Sequence, residues 1–405
     1  MTNSLLEGVR ILDLTSVIVG PACTLRLASY GATVTKIEAP EGDLMRTLGG
    51  PSPTGQHAGT YLHLNRGKRG IALDLKHPDA AAAIDRLLAA SDVFVTNLRP
   101  EALVRLGLDP AAVRHRHARL VHCTITGFGP GPYRGRPAYD SVVQGASGIA
   151  GLFAARDGTP SYVPLMMADH VVGEIAAGAI VAAVCRQIRT GVGATIEVPM
   201  FETLTAMVLQ EHLGPASFDP PLGGVGDRRI LSAYNRPMAT ADGWISLTAN
   251  TDAQALALLR AMGREDLLDD PRFATAALRF RHVDDWFSIR TDALKQRRTA
   301  DWLRILGEHD IPCMPCHTLD TLLDDPHLQA VGLVEPAMEH PREGRIRQVR
   351  TTVLVDGETS EGGRSRPAGP VGADSRDVLQ EAGYTEAEVA ALLACGAAHE
   401  DRSND

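Results

Sequence analysis

A chain of 405 residues is too long for one ordinary core and predicts two or three domains. Hydrophobic residues make up 44% and charged residues 22%, the balance of a folded globular protein and not of a disordered one. The formal charge of −9 argues against a polyanionic partner, so no nucleic acid is expected. Basic residues gather locally, in Asn65-Arg66-Gly67-Lys68-Arg69 and Arg114-His115-Arg116-His117, and such clusters are expected to be solvated faces.

No segment approaches the roughly 20 uninterrupted apolar residues that span a bilayer. Val171 to Val184 comes nearest, but it is short, Ala-rich and interrupted by Glu174, as a buried helix would be. The opening MTNSLLEGVR shows no basic stretch followed by an apolar run, so no signal peptide and no membrane partner are expected. Six scattered cysteines fit reduced thiols and a cytoplasmic location. Cys313-Met314-Pro315-Cys316-His317 has the spacing of a haem attachment, yet that chemistry belongs to exported proteins. With Pro312 and Pro315 it reads as a rigid loop, and no second ligand pair lies nearby, so no metal is expected.

Val9 to Leu14 is a short apolar run, and Gly20-Pro21 opens a segment ending at Gly31. Thr33 to Glu38 follows as a second strand. The alternation recurs with Ile71 to Leu75, a helix from Pro78 to Ala90, then strands at Asp92 to Thr96, Leu120 to Ile125 and Thr195 to Val198. Strands separated by helical stretches predict βαβ units and a parallel sheet, which binds ligands at the carboxyl ends of its strands. The first turn, Thr15-Ser16-Val17-Ile18-Val19-Gly20-Pro21, carries no G-x-G-x-x-G, so a nicotinamide dinucleotide is not expected.

Residues 213–228 are rich in Gly and Pro and read as a linker or mobile loop. Residues 240–330 form a helical region around a strand at Trp244 to Thr248. A second Gly/Pro/Ser-rich stretch, Gly357 to Gly372, precedes a C-terminal helix starting near Thr385.

Asp169 heads a long helical pattern, Met166-Met167-Ala168-Asp169-His170-Val171-Val172-Gly173-Glu174. Asp is a preferred helix N-cap, and that structural role competes with any chemical one. The two are compatible. A carboxylate at a helix N-terminus is held ionised, and with an ordinary pKa of about 4 it would be charged at neutral pH and available as a nucleophile.

The run Gly8 to Thr15, then Gly20-Pro21 and Leu27 to Glu38, resembles the opening of class III CoA-transferases, the formyl-CoA and carnitine CoA-transferase family. The similarity continues through Gly42-Asp43 to Arg46, Asn65 to Lys76, Asn97-Leu98-Arg99-Pro100, Gly127-Phe128-Gly129, Ala138-Tyr139-Asp140, Asp325 to Leu328 and Ala373 to Tyr384. It implies a Rossmann-like large α/β domain, residues 1–212 and 331–405, a Gly/Pro-rich linker at 213–224, and a smaller α+β domain, 225–330. It further implies an interlocked, ring-like homodimer. Asp169 matches the family's nucleophile, an Asp opening the helix after about the sixth strand. The implied chemistry moves coenzyme A from an acyl-CoA donor, succinyl-CoA by family habit, to a carboxylic acid, through mixed anhydrides and an aspartyl-CoA thioester. No tightly bound cofactor is implied; acyl-CoA and small carboxylic acids are substrates.

By the same matching, coenzyme A contacts fall on Ile18, Val19, Leu73, Lys76, Asn97, Leu98, Arg99, Arg105, Arg136, Pro137, Ala138 and Tyr139, with Asp140 beside the nucleophile. Arginine and lysine suit the phosphates of the cofactor. Gly223, Gly224 and Gly226 sit where relatives carry a glycine loop over the intermediates. Two departures stand out. Ile18 replaces a glutamine near the nucleophile, and Ala39 replaces an adenine-side arginine. Oxalate and formate are therefore disfavoured, and backbone N–H groups of the first loop must stabilise the oxyanion.

Two other readings compete. α-Methylacyl-CoA racemases share the superfamily and use a His–Asp pair, but Tyr139 stands where their histidine would be. A non-catalytic CoA-binding subunit would keep the basic contacts and have no use for a carboxylate at 169.

Overall fold

The computed structural model describes residues 4–360 and 366–401; the middle of the Gly357 to Gly372 stretch, at 361–365, lies outside the described residues. Seven strands form the main sheet: β1 (Arg10–Leu14), β2 (Thr33–Glu38), β3 (Arg69–Leu73), β4 (Val93–Thr96), β5 (Val121–Thr126), β6 (Thr195–Pro199) and β7 (Ala398–His399). Their spatial order is β7-β3-β2-β1-β4-β5-β6. The first six in sequence run parallel, with Ile11 opposite both Val34 and Val93, and β7 closes the β3 edge antiparallel. The chain is thus mixed α/β with a large parallel-sheet core. The order 3-2-1-4-5-6 is that of the doubly wound nucleotide-binding sheets.

β4 and β5 are buried at every residue, as central parallel strands covered on both faces must be. Leu12, Ile37, Ile71, Leu73, Phe94 and Leu103 form the middle of the core on one face. Two helices govern the candidate site on the other, α1 (Val19–Ser29) and α3 (Met167–Thr190), with the short α2 (Asp140–Ala146) before them in space. A Cβ on Gly173 of α3 would stand 2.8 Å from the Val19 carbonyl oxygen and 3.2 Å from the Cys23 nitrogen. Only glycine permits that approach. Arg26 clamps the same pair of helices through a forked bond to Glu174, with both N···O distances at 2.7 Å.

α3 is longer than the Val171 to Val184 run suggested. By length and composition it is apolar enough to cross a membrane. Its buried face carries Val172, Ala176, Ala177, Ile180 and Val184, packed against α1, β5 and β6.

The structure divides into two compact units, the described residues of Met1–Ser147, Tyr162–Ala206 and Val331–Asp405, and those of Gly148–Ser161 and Met207–Ala330. The second unit holds a three-stranded antiparallel sheet, Met238–Ala239, Trp244–Leu247 and Cys313–Pro315. Helices Asp252–Ala261, Val283–Leu294 and Thr299–Glu308 pack a core of Ile245, Leu258, Trp286, Leu294, Trp302 and Leu306 over it. Cys313-Met314-Pro315 is therefore a strand and not the rigid loop expected from its prolines. It is the edge strand, where a proline's missing N–H costs no ladder bond. Within 213–228, the Gly226 N–H donates to the His212 carbonyl at 2.7 Å and Leu222 N–H to Pro215 at 3.0 Å, so backbone bonds tie this segment.

A second expectation fails at Asn65-Arg66-Gly67-Lys68-Arg69. Lys68 is only 3% exposed. Its ammonium donates to Asp13 at 3.2 Å, Thr24 Oγ1 at 2.8 Å and Asn65 Oδ1 at 3.0 Å. Lys36 likewise donates to Asp43 at 2.9 Å and the Thr15 carbonyl at 2.7 Å. Arg46 forks onto Glu38 with two bonds of 2.7 Å. Three cations and three carboxylates are thus interned beneath β1 and α1, charge for charge. Burial lowers Lys68 to about 8. Asp13 lies below the usual carboxylate range because Lys68, Lys36 and two hydroxyls outweigh a burial that pushes it up. Lys68→Met leaves Asp13 interned without its nearest cation and is expected to cost about 3–5 kcal/mol in urea unfolding. A loss under about 1 kcal/mol, the scale of an exposed pair, would contradict the burial argument.

Candidate active site

In the order 3-2-1-4 the connections after β1 and β4 leave in opposite directions, and a crevice opens between them. The structure has a cavity of about 190 Å³ there, lined by Ser16 and Val17 after β1, Asn97, Leu98, Arg99 and Pro100 after β4, and Gly127 and Phe128 after β5. Gly135, Arg136, Pro137, Ala138 and Tyr139 complete the wall. Seven residues singled out from sequence (Asn97, Leu98, Arg99, Arg136, Pro137, Ala138 and Tyr139) therefore meet at one place. Arg99, Arg136 and Tyr139 are exposed around it. Others fall elsewhere. Leu73 is wholly buried in the core, whereas Lys76 and Arg105 are exposed and do not line the cavity. Ile18 and Val19 are buried at the start of α1, Ile18 against Met45, Tyr61 and Leu62.

The first loop is shaped from within. The Asn97 amide oxygen accepts from the Ser16 N–H at 3.0 Å and its nitrogen donates to the Ser16 carbonyl at 2.9 Å. Asp43, held by Lys36, accepts from the Val17 N–H at 3.1 Å. Val17 itself has φ 68°, a left-handed conformation that a β-branched residue rarely adopts. Such a residue persists only where its surroundings impose it, and it sits in the cavity wall.

These bonds also settle which amides remain. Thr15, Ser16 and Val17 donate to Asp13, Asn97 and Asp43. The ladder of α1 begins with Ala22 N–H to Ile18 O at 2.8 Å, so Ile18, Val19 and Gly20 supply the orphan donors of this helix end.

Asp169 is not the N-cap of α3. Met166 is, with no side-chain cap bond, and Asp169 stands three residues on, in the first turn. The cap reading misplaced it because the chain already bends at Val163 and Leu165, which Gln144 ties down. The Gln144 side-chain Oε1 accepts from Val163 N–H at 2.9 Å, and its Nε2 donates to the Leu165 carbonyl at 3.1 Å. Gln144 also donates to Asp140 Oδ2 at 2.6 Å, and Asp140 Oδ1 accepts from the Asp169 N–H at 3.1 Å. Asp140 follows Tyr139 directly, so the cavity wall and the Asp169 backbone are joined through one carboxylate. Gly173, one turn after Asp169, abuts the start of α1.

The expectation of an almost fully charged carboxylate at neutral pH is revised. Asp169 is 7% exposed, and burial, with the Asp140 charge adding to it, raises its pKa to about 7. Desolvation outweighs the helix dipole here. Sequence reasoning missed Lys36, Asp43, Val17 and Gln144 as positioning groups. One signal was legible: Lys36 lies between Val34 and Glu38 on an inward face of an apolar strand.

A buried carboxyl whose pKa lies above its unfolded value loses stability as pH rises from near 4 and carries the whole deficit above about 7. Asp169→Asn is therefore expected to stabilise the protein by on the order of 2–4 kcal/mol at pH 8 and by nothing at pH 4. Denaturant melts across that range check it. A stabilisation independent of pH would contradict the assignment.

With that geometry in place, the comparisons with known proteins are specific. The family model described as CoA-transferase family III matches residues 6–375. The chain is 32% identical to the succinate–glutarate CoA-transferase of Agrobacterium fabrum over 93% of its own length and 95% of that protein. It is 30% identical to the human succinyl-CoA:glutarate CoA-transferase, over 96% and 89%. A crystal structure of a CAIB/BAIF family protein from Brucella suis superposes with a TM-score of 0.77 at 26% identity, covering 94% of this chain and all of that one. The chain is an enzyme and belongs to CoA-transferase family III.

Proposed function

We propose that this enzyme moves coenzyme A from succinyl-CoA to a small dicarboxylic acid such as glutarate, with Asp169 as the nucleophile. The substrates follow the names of two relatives. One observation carries the role of Asp169: its carboxyl is buried and raised to about 7, bonded through its backbone to the residue next to Tyr139 in the cavity wall. A desolvated carboxylate of raised basicity is a stronger nucleophile than a solvated one with the ordinary pKa of about 4.

Asp169 attacks the thioester carbonyl carbon; the C–S bond breaks, and coenzyme A leaves as the thiolate. The mixed anhydride is then attacked by that thiolate at the aspartyl carbon, releasing the donor carboxylate and leaving an aspartyl-CoA thioester. The acceptor carboxylate attacks the same carbon and expels the thiolate. Return of the thiolate to the acceptor's acyl carbon gives the new acyl-CoA and restores Asp169. No proton is gained or lost, so the site has to stabilise four oxyanions and no leaving-group acid is required. Amides of Ile18, Val19 and Gly20 are the donors for that role. Arg99 and Arg136 take the phosphates of coenzyme A, and Asn97 keeps the loop in position.

The enzyme works as an interlocked homodimer in the cytoplasm, with coenzyme A as a substrate and no cofactor held between turnovers. Exposed apolar side chains flank Asp169, among them Val142, Leu165, Met166 and Ile175, and a cluster of that kind favours coverage by a second copy. The free cysteines fit a reducing compartment.

Initial-rate measurements with succinyl-CoA and glutarate are expected to give the parallel double-reciprocal lines of a covalent intermediate. Asp169→Ala is expected to lower kcat by about 10³-fold or more with an unchanged circular dichroism spectrum. Undiminished transfer in that variant, or exchange of the α-proton of a branched acyl-CoA with solvent deuterium in place of transfer, would overturn the reading.

A further inference from the structure

The second unit contains a cavity of about 560 Å³, larger than the crevice at the sheet and built from different residues. Helix Val283–Leu294 gives it Trp286, Phe287 and Arg290, and the preceding helix gives Arg279 and Phe280. Arg279 is accounted for: it donates to Asp252 at 2.7 Å and to the Phe273 carbonyl at 2.9 Å. Arg290 is not. It is 4% exposed, its Nε is buried with no hydrogen-bond partner, and no carboxylate among the described residues pairs with it. Its guanidinium lies 4.6 Å from the ring centre of Phe287 and 5.1 Å from that of Trp286. Arg229 enters the lining with an exposed side chain.

Interior cations in folded proteins are paired, because the cost of removing a charge from water has to be offset. Stacking on two rings offsets part of it and leaves the donor edge empty. A guanidinium without a hydrogen-bonding partner, in the wall of a cavity that also carries aromatic side chains, has the chemistry of a receptor for an organic carboxylate. We propose that this cavity is a second ligand site, separate from the coenzyme A crevice, that binds a small carboxylate with a flat or apolar body through Arg290. The carboxylate accepts from the empty donor edge, and Trp286, Phe287 and Phe280 take the body. The volume exceeds what an inorganic anion fills, which is why an organic anion is specified.

The test uses the full-length protein with benzoate and glutarate as carboxylates, benzyl alcohol as the uncharged counterpart and inorganic phosphate as the bare anion. Thermal unfolding and tryptophan fluorescence are followed in parallel, since Trp286 lines the cavity. Saturable binding of a carboxylate, weaker by about tenfold or more in Arg290→Met and absent for benzyl alcohol, is expected. Unliganded Arg290→Met is expected to melt higher than the wild type, because it removes an unpaired interior charge, whereas a purely structural Arg290 would make it melt lower. Arg290→Lys, which keeps the charge and loses the fork, should fold and bind at an intermediate strength. Asp169→Ala should retain the binding, which separates this site from the transfer reaction. Equal affinity in wild type and Arg290→Met, equal response to benzyl alcohol, saturation by phosphate alone, or no response to any carboxylate would each overturn the proposal.

Discussion

Everything at the crevice depends on keeping Lys36, Lys68 and Arg46 in the interior opposite Asp43, Asp13 and Glu38. Isolated burial of any one would cost several kcal/mol, and only the mutual pairing with extra hydrogen bonds makes the set tolerable. The bonds that satisfy these charges are the same ones that shape the first loop. Lys36 reaches the Thr15 carbonyl, Asp13 the Thr15 N–H, and Asp43 the Val17 N–H. Glu38 shows how firmly the set is held: against its burial, Arg46, Lys36 and Tyr61 bring it down to about 2. A loop fixed in this way can hold Val17 in a strained conformation, at a cost of about 1–3 kcal/mol. It then holds Ser16 and Val17 in the crevice wall.

The Asp169 carboxylate obeys the reverse logic. Asp13, Asp43 and Glu38 are given cations; Asp169 is given another carboxylate, Asp140, and little water. The contrast within one chain separates the paired acids from Asp169. Groups whose environments push their pKa values apart mark acid–base and nucleophilic roles, although structural networks also perturb them. Here the network carboxylates whose shifts are resolved, Asp13 and Glu38, go down and Asp169 goes up.

Much of the sheet was legible because short apolar runs alternate with helical stretches, and β2 falls on the expected residues. β3 begins two residues earlier than expected, at Arg69, since the apolar pattern cannot register that Arg69 and Gly70 pair with β2. The crevice wall from Asn97 to Arg99 and Arg136 to Tyr139 was also legible, through motif resemblance and not through spacing. The rest is set by tertiary structure. Leu73 and Lys76 are near neighbours in sequence, yet one ends a central strand in the core and the other stands in solvent. Lys68 looked like a surface charge because nothing local announces that Asp13, fifty-five residues away, awaits it. The pKa of Asp169 follows from burial by elements remote in sequence, which no N-terminal helix pattern encodes. Arg290 is the extreme case, since its isolation is a property of what the fold leaves beside it.

The central claim is that coenzyme A becomes covalently attached to Asp169 during transfer. Intact-protein mass spectrometry after mixing with succinyl-CoA, with and without hydroxylamine, tests it directly. A mass increase equal to coenzyme A less water, present on the wild type, removed by hydroxylamine and absent from Asp169→Ala, is the predicted result. Efficient transfer with no adduct on the wild type, or the same adduct persisting on Asp169→Ala, would contradict it.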